Sequence, residues 1–212
     1  MTDAYYSQPR TDVAALVPDN AARVLDVGCG FGALGRELHA RKPRTLHGIE
    51  RNPAAASHLQ GLYQRYVIGD AEAGLDELRA ERYGCIVFAD VLEHLVDPWA
   101  VLRKARAMLL PGGAVVASIP NVRNIAVLFN LVLRGRWRYE DSGLLDRTHL
   151  RFFTRAEIHE LYASAGLAIE RIEVNRDRFR PALRLVAALP TLLVPDFSVC
   201  QFLVRGRATP ST

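Results

Sequence analysis

The run Val24-Leu25-Asp26-Val27-Gly28-Cys29-Gly30-Phe31-Gly32-Ala33 brings together glycines and a carboxylate where an apolar stretch turns into a helical pattern. Glycines at such a turn let the backbone approach a ligand closely. Gly28, Gly30 and Ala33 also satisfy the dinucleotide pattern GxGxxG/A, and Glu50 follows at a position where an acid holds ribose hydroxyls. That pattern alone does not choose the ligand. Asp26 does, because a carboxylate two residues before the first glycine would repel a pyrophosphate. A ligand with an ammonium, a sulfonium and no phosphate is attracted instead, which describes S-adenosylmethionine and not NAD. The plain alternative for Asp26 is a capped or paired structural aspartate.

Two further groups have chemical potential. Asp90-Val91-Leu92-Glu93-His94 follows an apolar run, at the carboxyl edge where open α/β sheets bind ligands. His94 is a candidate general base, since imidazole titrates near neutrality; the alternative is that Glu93 and His94 only wall a pocket. Later, Trp137, Tyr139, Asp141, Asp146, Arg147 and His149 form a polar and aromatic cluster suited to orienting an acceptor. His149 is the second candidate for acid or base work, against a satisfied structural histidine, and Arg147 could hold its segment down through Asp146 or Glu140.

The elements that must position these groups alternate along the chain. Short apolar runs read as buried parallel strands at Arg23–Val27, Thr45–Ile49, Tyr66–Ile68, Cys85–Ala89 and Ala114–Ile119. Between them lie helical patterns through about Arg41, from Pro53, and over Pro98–Leu110, the last stopped by Leu110-Pro111-Gly112-Gly113. After Pro120 the alternation breaks. Residues 121–151 hold a helix at Ile125–Leu133 and then a polar, basic stretch, which reads as a lid or acceptor-binding insertion. Thr154, with Glu157 three residues on, starts a further helix. Leu167–Val174 and Val199–Val204 complete seven strands.

Matching segments then accumulate in order: VLDVGCGFG, GIERNP, VIGDAE, FADVLEHLVDP and LLPGGAVVASIPN. From about Arg23 to Val174 the chain resembles the class I S-adenosylmethionine-dependent methyltransferases, and LDRTHLRFFTRAEI resembles a small bacterial subgroup of them. The resemblance implies a doubly wound, mainly parallel, seven-stranded Rossmann-like sheet with an antiparallel C-terminal strand. It implies that Gly28, Cys29 and Gly30 form the cofactor loop, with Asp26 near the cofactor's amino-acid end. Glu50 would accept from both ribose hydroxyls, Asp70 would take the adenine amine and Ala71 would give a backbone contact. Arg51 and Ala89 would line the adenine and methionine sides. Asp70 reads equally well as a helix N-cap.

Composition bounds the rest. With 212 residues, half of them apolar, the chain suits one soluble domain over 1–212. The N-terminus, Met1 to Asn20, lacks a secretory pattern and no apolar run is long enough to cross a bilayer, so a cytoplasmic location is expected. Cys29, Cys85 and Cys200 read as buried thiols in a reducing compartment. The net charge of +4 concentrates in arginines 134, 136, 138, 147, 151, 155, 176, 178 and 180, either as solvated faces or as a surface for an anionic or sugar-like acceptor.

No spacing suggests a metal site, and nothing points to nucleic acid. The expectation is methyl transfer to a small molecule, to oxygen before nitrogen, with Trp137, Tyr139 and Arg147 on the acceptor. An NAD-dependent oxidoreductase and a non-catalytic partner subunit are the alternatives, and homodimer formation is left open.

Overall fold

The computed structural model describes residues 10–176 and 192–209. Arg178, Arg180 and most of the apolar stretch Ala182–Val194 lie outside the described residues. Seven strands form one sheet: β1 Arg23–Val27, β2 Thr45–Glu50, β3 Arg65–Ile68, β4 Tyr83–Ala89, β5 Leu109–Pro120, β6 Leu167–Arg176 and β7 Val199–Ala208. Their order is β3-β2-β1-β4-β5-β7-β6. The first five pair in parallel, whereas β7 runs antiparallel to both β5 and β6. This is the doubly wound α/β sheet that the strand pattern implies.

The helices are α1 Thr11–Ala14, α2 Ala33–Arg41, α3 Ala56–Leu59, α4 Ala71–Glu77, α5 Pro98–Ala107, α6 Ile125–Arg134 and α7 Arg155–Ser164. They divide between the two sheet faces, because successive strand side chains point to opposite sides. Leu25, Val27, Ile49 and Phe88 face a core with Leu75, Leu102, Ile158 and Leu161 from α4, α5 and α7. Val24, Leu46, Val87 and Val116 face the other core, with Leu16, Leu34, Leu38 and Leu59. Strands buried on both faces explain why β1, β4 and β5 read as continuous apolar runs.

The caps match the chemistry of the sequence. Asp97 accepts a hydrogen bond from Ala100 N at 2.9 Å with Pro98 in the first turn of α5, and Asn124 accepts from Ala126 N at 2.9 Å to start α6. Thr154 and Glu157 form the expected capping box on α7. The expected helix over Pro98–Leu110 is too long, however. It ends at Ala107, because Leu109 already pairs with Tyr83 of β4 and Tyr83 N donates to Met108 O at 2.9 Å. Pro53 likewise begins a 3-10 turn, Pro53–Ala55, before the short α3.

The long insertion leaves and rejoins the fold at one place. Asn121 N donates to Cys200 O and Val122 N to Phe153 O, and Asn121 forms an isolated bridge with Phe153. The Asn121 side-chain amide donates to the carbonyl oxygens of Asp196 and Val199, and that of Asn124 to Val199 O as well. The outgoing end is therefore fastened to the start of β7, and the returning end, at Phe153, to the outgoing one. Of the three thiols, Cys29 and Cys85 are buried, while Cys200 is only half-buried.

Candidate active site

Asp26 sits on β1 between Gly48 of β2 and Val87 of β4, 1% exposed. An acid so placed needs a partner, and the Tyr63 hydroxyl donates to Asp26 Oδ2 at 2.7 Å. Burial is the main cause that pushes the Asp26 carboxyl up to about 6. Asp26 is thus a paired structural aspartate and also lines the cavity described below.

The glycine loop follows directly. Gly28, at φ 74°, donates its N–H to Ile49 O at 2.7 Å, and a Cβ there would lie 2.5 Å from Val91 Cγ2. Only glycine lets the loop after β1 and the turn after β4 come this close. Glu50, 7% exposed at the end of β2, accepts from Gly30 N on Oε2 and from Asn52 N on Oε1, both at 2.8 Å. It braces the loop, and each carboxylate oxygen keeps a lone pair for a further donor. Asp70 stands at the N-cap position of α4, yet its side chain makes no capping bond. Its carboxylate is exposed instead.

Asp26, Gly28, Cys29, Gly30, Glu50, Arg51, Asp70, Ala71 and Ala89 all line one cavity of about 810 Å³. The same cavity continues past Ala89 to Asp90, Val91, His94, Leu95, Val96 and Leu150, and to Arg10, Asp12, Asn175 and Gln201. Asp90 adopts a left-handed backbone, φ 57°, uncommon for a residue with a side chain. Its carboxylate is held there by Arg10 Nη1 at 2.5 Å, by the Ser118 hydroxyl at 2.7 Å and by the Gln201 amide. Asn175 donates to Asp12 Oδ2 at 2.9 Å and to Gln201 Oε1 at 3.3 Å, which closes the polar wall.

Sequence reasoning missed Arg10, Asp12, Asn175 and Gln201. A signal existed for two of them. Asn175 and Gln201 are polar residues within otherwise strand-like runs, in register with each other, and Gln201 also faces Pro120.

His94 and His149 come together, their rings 4.7 Å apart edge to face. His94 Nδ1 lies 3.1 Å from Thr148 O, and His149 Nδ1 lies 3.3 Å from Leu144 O. His149 is 8% exposed, and burial holds it below its ordinary value, reinforced by the His94 charge. Glu93, 1% exposed, leaves Oε2 without a hydrogen-bond partner, and burial pushes its carboxyl well up. Its backbone oxygen accepts from Leu150 N and Arg151 N, which ties the His149 segment to the turn after β4.

Trp137, Tyr139 and Arg147 are not among the residues lining the cavity. Trp137 packs edge-on against Phe152, with ring centroids 5.1 Å apart. The Arg147 guanidinium pairs with Asp141 at 2.7 Å rather than with Asp146 or Glu140. Glu140 contributes only its backbone oxygen, to Arg147 N at 3.0 Å. Asp146 is buried and taken up by the N–H and hydroxyl of Thr148. No helix among the described residues is long and apolar enough to cross a membrane.

Residues 3–172 match the family described as a methyltransferase domain. Ubiquinone biosynthesis O-methyltransferase of Cereibacter sphaeroides is 33% identical over 164 residues, 74% of this chain and 64% of that protein. Its counterpart in Aeromonas salmonicida is 28% identical over 152 residues, 69% and 63% of the two chains. The chain thus spans a little under two thirds of the length of these relatives. Among solved structures, a SAM-dependent methyltransferase from Archaeoglobus fulgidus superposes with a TM-score of 0.64 at 17% identity, over 89% of this chain and 86% of that one. The CcbJ methyltransferase from Streptomyces caelestis does so with a TM-score of 0.65 at 20% identity, over 99% and 93%. These two likenesses show the fold.

Proposed function

The chain belongs to the methyltransferase-domain family, and from that membership we propose that it transfers the methyl group of S-adenosylmethionine to a small hydroxylated acceptor. The observation that carries this reading is the charge of the cavity. Asp26, Glu50, Asp70 and Glu72 line it, which favours a cationic ligand without phosphates. A nicotinamide dinucleotide would bring its pyrophosphate against these acids. The volume of about 810 Å³ suits a cofactor and a small acceptor together.

The residues fit the cofactor. Asp26 would face its ammonium, the spare lone pairs of Glu50 its ribose hydroxyls, and Asp70 its adenine amine, with Arg51, Ala71 and Ala89 as walls. The bound cofactor supplies a sulfonium-activated methyl and a good leaving group. What this chain then contributes is alignment of the acceptor and exclusion of water. Val91, Leu95, Val96 and Leu150 give one apolar wall, and Arg10, Asp90 and Gln201 give the polar one.

His94 would accept the hydroxyl proton, with His149 beside it; its position in the cavity lining supports this role. Trp137, Tyr139 and Arg147 would reach the acceptor only if the 121–151 segment closes over it. Oxygen as the acceptor atom is supported by the names of the relatives, O-methyltransferases of ubiquinone biosynthesis.

Calorimetry with S-adenosylhomocysteine and with NAD tests the cofactor reading, and only the first should give heat of binding. Incubation with methyl-labelled cofactor and a panel of phenols, sugars, amines and thiols then identifies the acceptor. NAD binding without a response to S-adenosylhomocysteine would return the chain to the oxidoreductases. Cofactor binding with no labelled product from any of these classes would favour the partner-subunit reading.

A further inference from the structure

We propose that Tyr63 is a positioning residue for the cofactor: the fold builds a slot for its ring, so that its hydroxyl holds Asp26 in the charged form that a ligand ammonium needs. Tyr63 is not among the residues lining the cavity, so it acts through Asp26 and not on the ligand. It belongs to none of the glycine and acid motifs, because the residues that enclose it come from separate segments.

The slot is made of glycines. A Cβ on Gly35 of α2 would lie 2.6 Å from the Tyr63 hydroxyl, one on Gly48 of β2 would lie 3.1 Å from Cδ1, and one on Gly32 of the cofactor loop 3.3 Å from Cε2. In a close-packed interior, side chains at these positions would displace the ring. Gly48 is also the register partner of Asp26 on the neighbouring strand, so β2 leaves the space beside the carboxylate to the tyrosine. The backbone is held as firmly as the ring. Tyr63 N donates to Leu59 O at 2.9 Å, while Gln64 N donates to Leu46 O at 2.9 Å and Gln64 Oε1 accepts from Leu46 N at 2.6 Å. Tyr63 is thereby fixed between α3 and β2, 4% exposed, with its hydroxyl 2.7 Å from Asp26 Oδ2.

The groups that act on the Asp26 carboxyl are the Tyr63 hydroxyl, the Arg10 guanidinium, the Glu50 carboxylate and the Cys29 thiol. Burial raises the carboxyl, and Glu50 adds to that; Cys29 stays neutral because burial pushes its thiol well up. Of the two groups that oppose the rise, Tyr63 acts more strongly than Arg10, whose guanidinium is committed to Asp90 at 2.5 Å. Burial and the neighbouring Asp26 also keep the tyrosine protonated. It therefore remains a donor, and a donor bonded to a carboxylate favours the ionised form. The benefit to cofactor binding rests on the methyl-transfer reading; the hold on Asp26 does not.

The test compares the full chain with Tyr63→Phe, whose ring still fills the slot. Carbon-13 NMR of the aspartate carboxyl groups, with Asp26 assigned through Asp26→Asn, follows the titration without any ligand. The Asp26 midpoint should move up from about 6 to about 7 for the loss of one such bond. Gly35→Ala, which displaces the hydroxyl from the other side, should move it in the same direction. Calorimetry with S-adenosylhomocysteine should then show a pH-dependent deficit in Tyr63→Phe, about eight-fold at about pH 5.5 and under about two-fold at about pH 7.5. In an Asp26→Asn background the same substitution should change affinity by less than about two-fold. An unmoved midpoint in folded Tyr63→Phe overturns the proposal. So does an affinity loss of equal size at every pH, which would mark the tyrosine as packing alone. A shifted midpoint in a chain that binds no S-adenosylhomocysteine at any pH would sink the cofactor reading and leave the hold on Asp26 standing.

Discussion

At the scale of single residues, pH separates the structural role of Asp26 from the ligand contact proposed for it. Asp26 sits at about 6 in the folded chain against 3.8 for an ordinary aspartate, mainly through burial. A raised folded value means that its contribution to stability is present at low pH and is lost as pH rises through about 6. A ligand ammonium needs the carboxylate, so affinity for S-adenosylhomocysteine should run the other way, rising between about pH 5 and pH 7. Asp26→Asn should flatten that rise and weaken binding at neutral pH, read by calorimetry across the range. Unchanged pH dependence in the variant would place the titrating group elsewhere. The sequence marked Asp26 and Glu50 as candidate ligand residues, since acids rarely sit in buried strands without cause, and both line the cavity. It could not show Tyr63 on Asp26 or Gly30 N on Glu50, because those contacts depend on how α3 and β2 lie against the loop.

At the scale of elements, α2 packs so closely on the β1 and β2 side that Gly35 leaves no room for a side chain. A Cβ there would lie 2.6 Å from the Tyr63 hydroxyl and 2.8 Å from its ring carbon Cζ. Gly35→Ala gains about 1 kcal/mol of helix propensity. It would also displace a rigid ring and the bond from Tyr63 to Asp26, at about 1–3 kcal/mol for overpacking and as much again for the charged hydrogen bond. The second set is larger. The variant should therefore melt several degrees lower and bind S-adenosylhomocysteine more weakly; a melting point at or above wild type would show that α2 can shift outward.

The same packing explains what sequence patterns can and cannot give. β1, β2 and β4 were legible as apolar runs and α5 as an amphipathic one. The end of α5 was not, because the pairing of Leu109 with Tyr83 is a long-range choice that overrides the local stop at Pro111. The polar wall of Asn175 and Gln201 stayed hidden for a related reason, as it exists only once β6 and β7 are in register.

At the scale of the whole molecule, the site lies where the loop after β1, the turns after β2 and β4, and the ends of β6 and β7 meet at one edge of the sheet. Most of the 121–151 segment stands clear of this framework. From residue 128 to residue 143 no side chain is buried. Replacing residues 128–143 by a short glycine-serine connector should leave cofactor affinity within about three-fold. Because exposed positions rarely change stability by more than about 0.5 kcal/mol each, the melting temperature should stay within a few degrees. Transfer to the acceptor should fall. A collapse of folding would mean that α6 supports the sheet.

The fastening of Asn121 to Phe153 and to the start of β7 makes this economy possible, for it closes the segment at its neck. Whatever length of chain lies beyond the neck begins and ends at the same point. Lengthening it adds only a slowly growing closure entropy, about 0.6 kcal/mol for each doubling. Such a segment can drift in sequence and size under selection while the strands that hold the cofactor register no change. A lineage built on this neck can change the length of this segment much faster than it changes its fold.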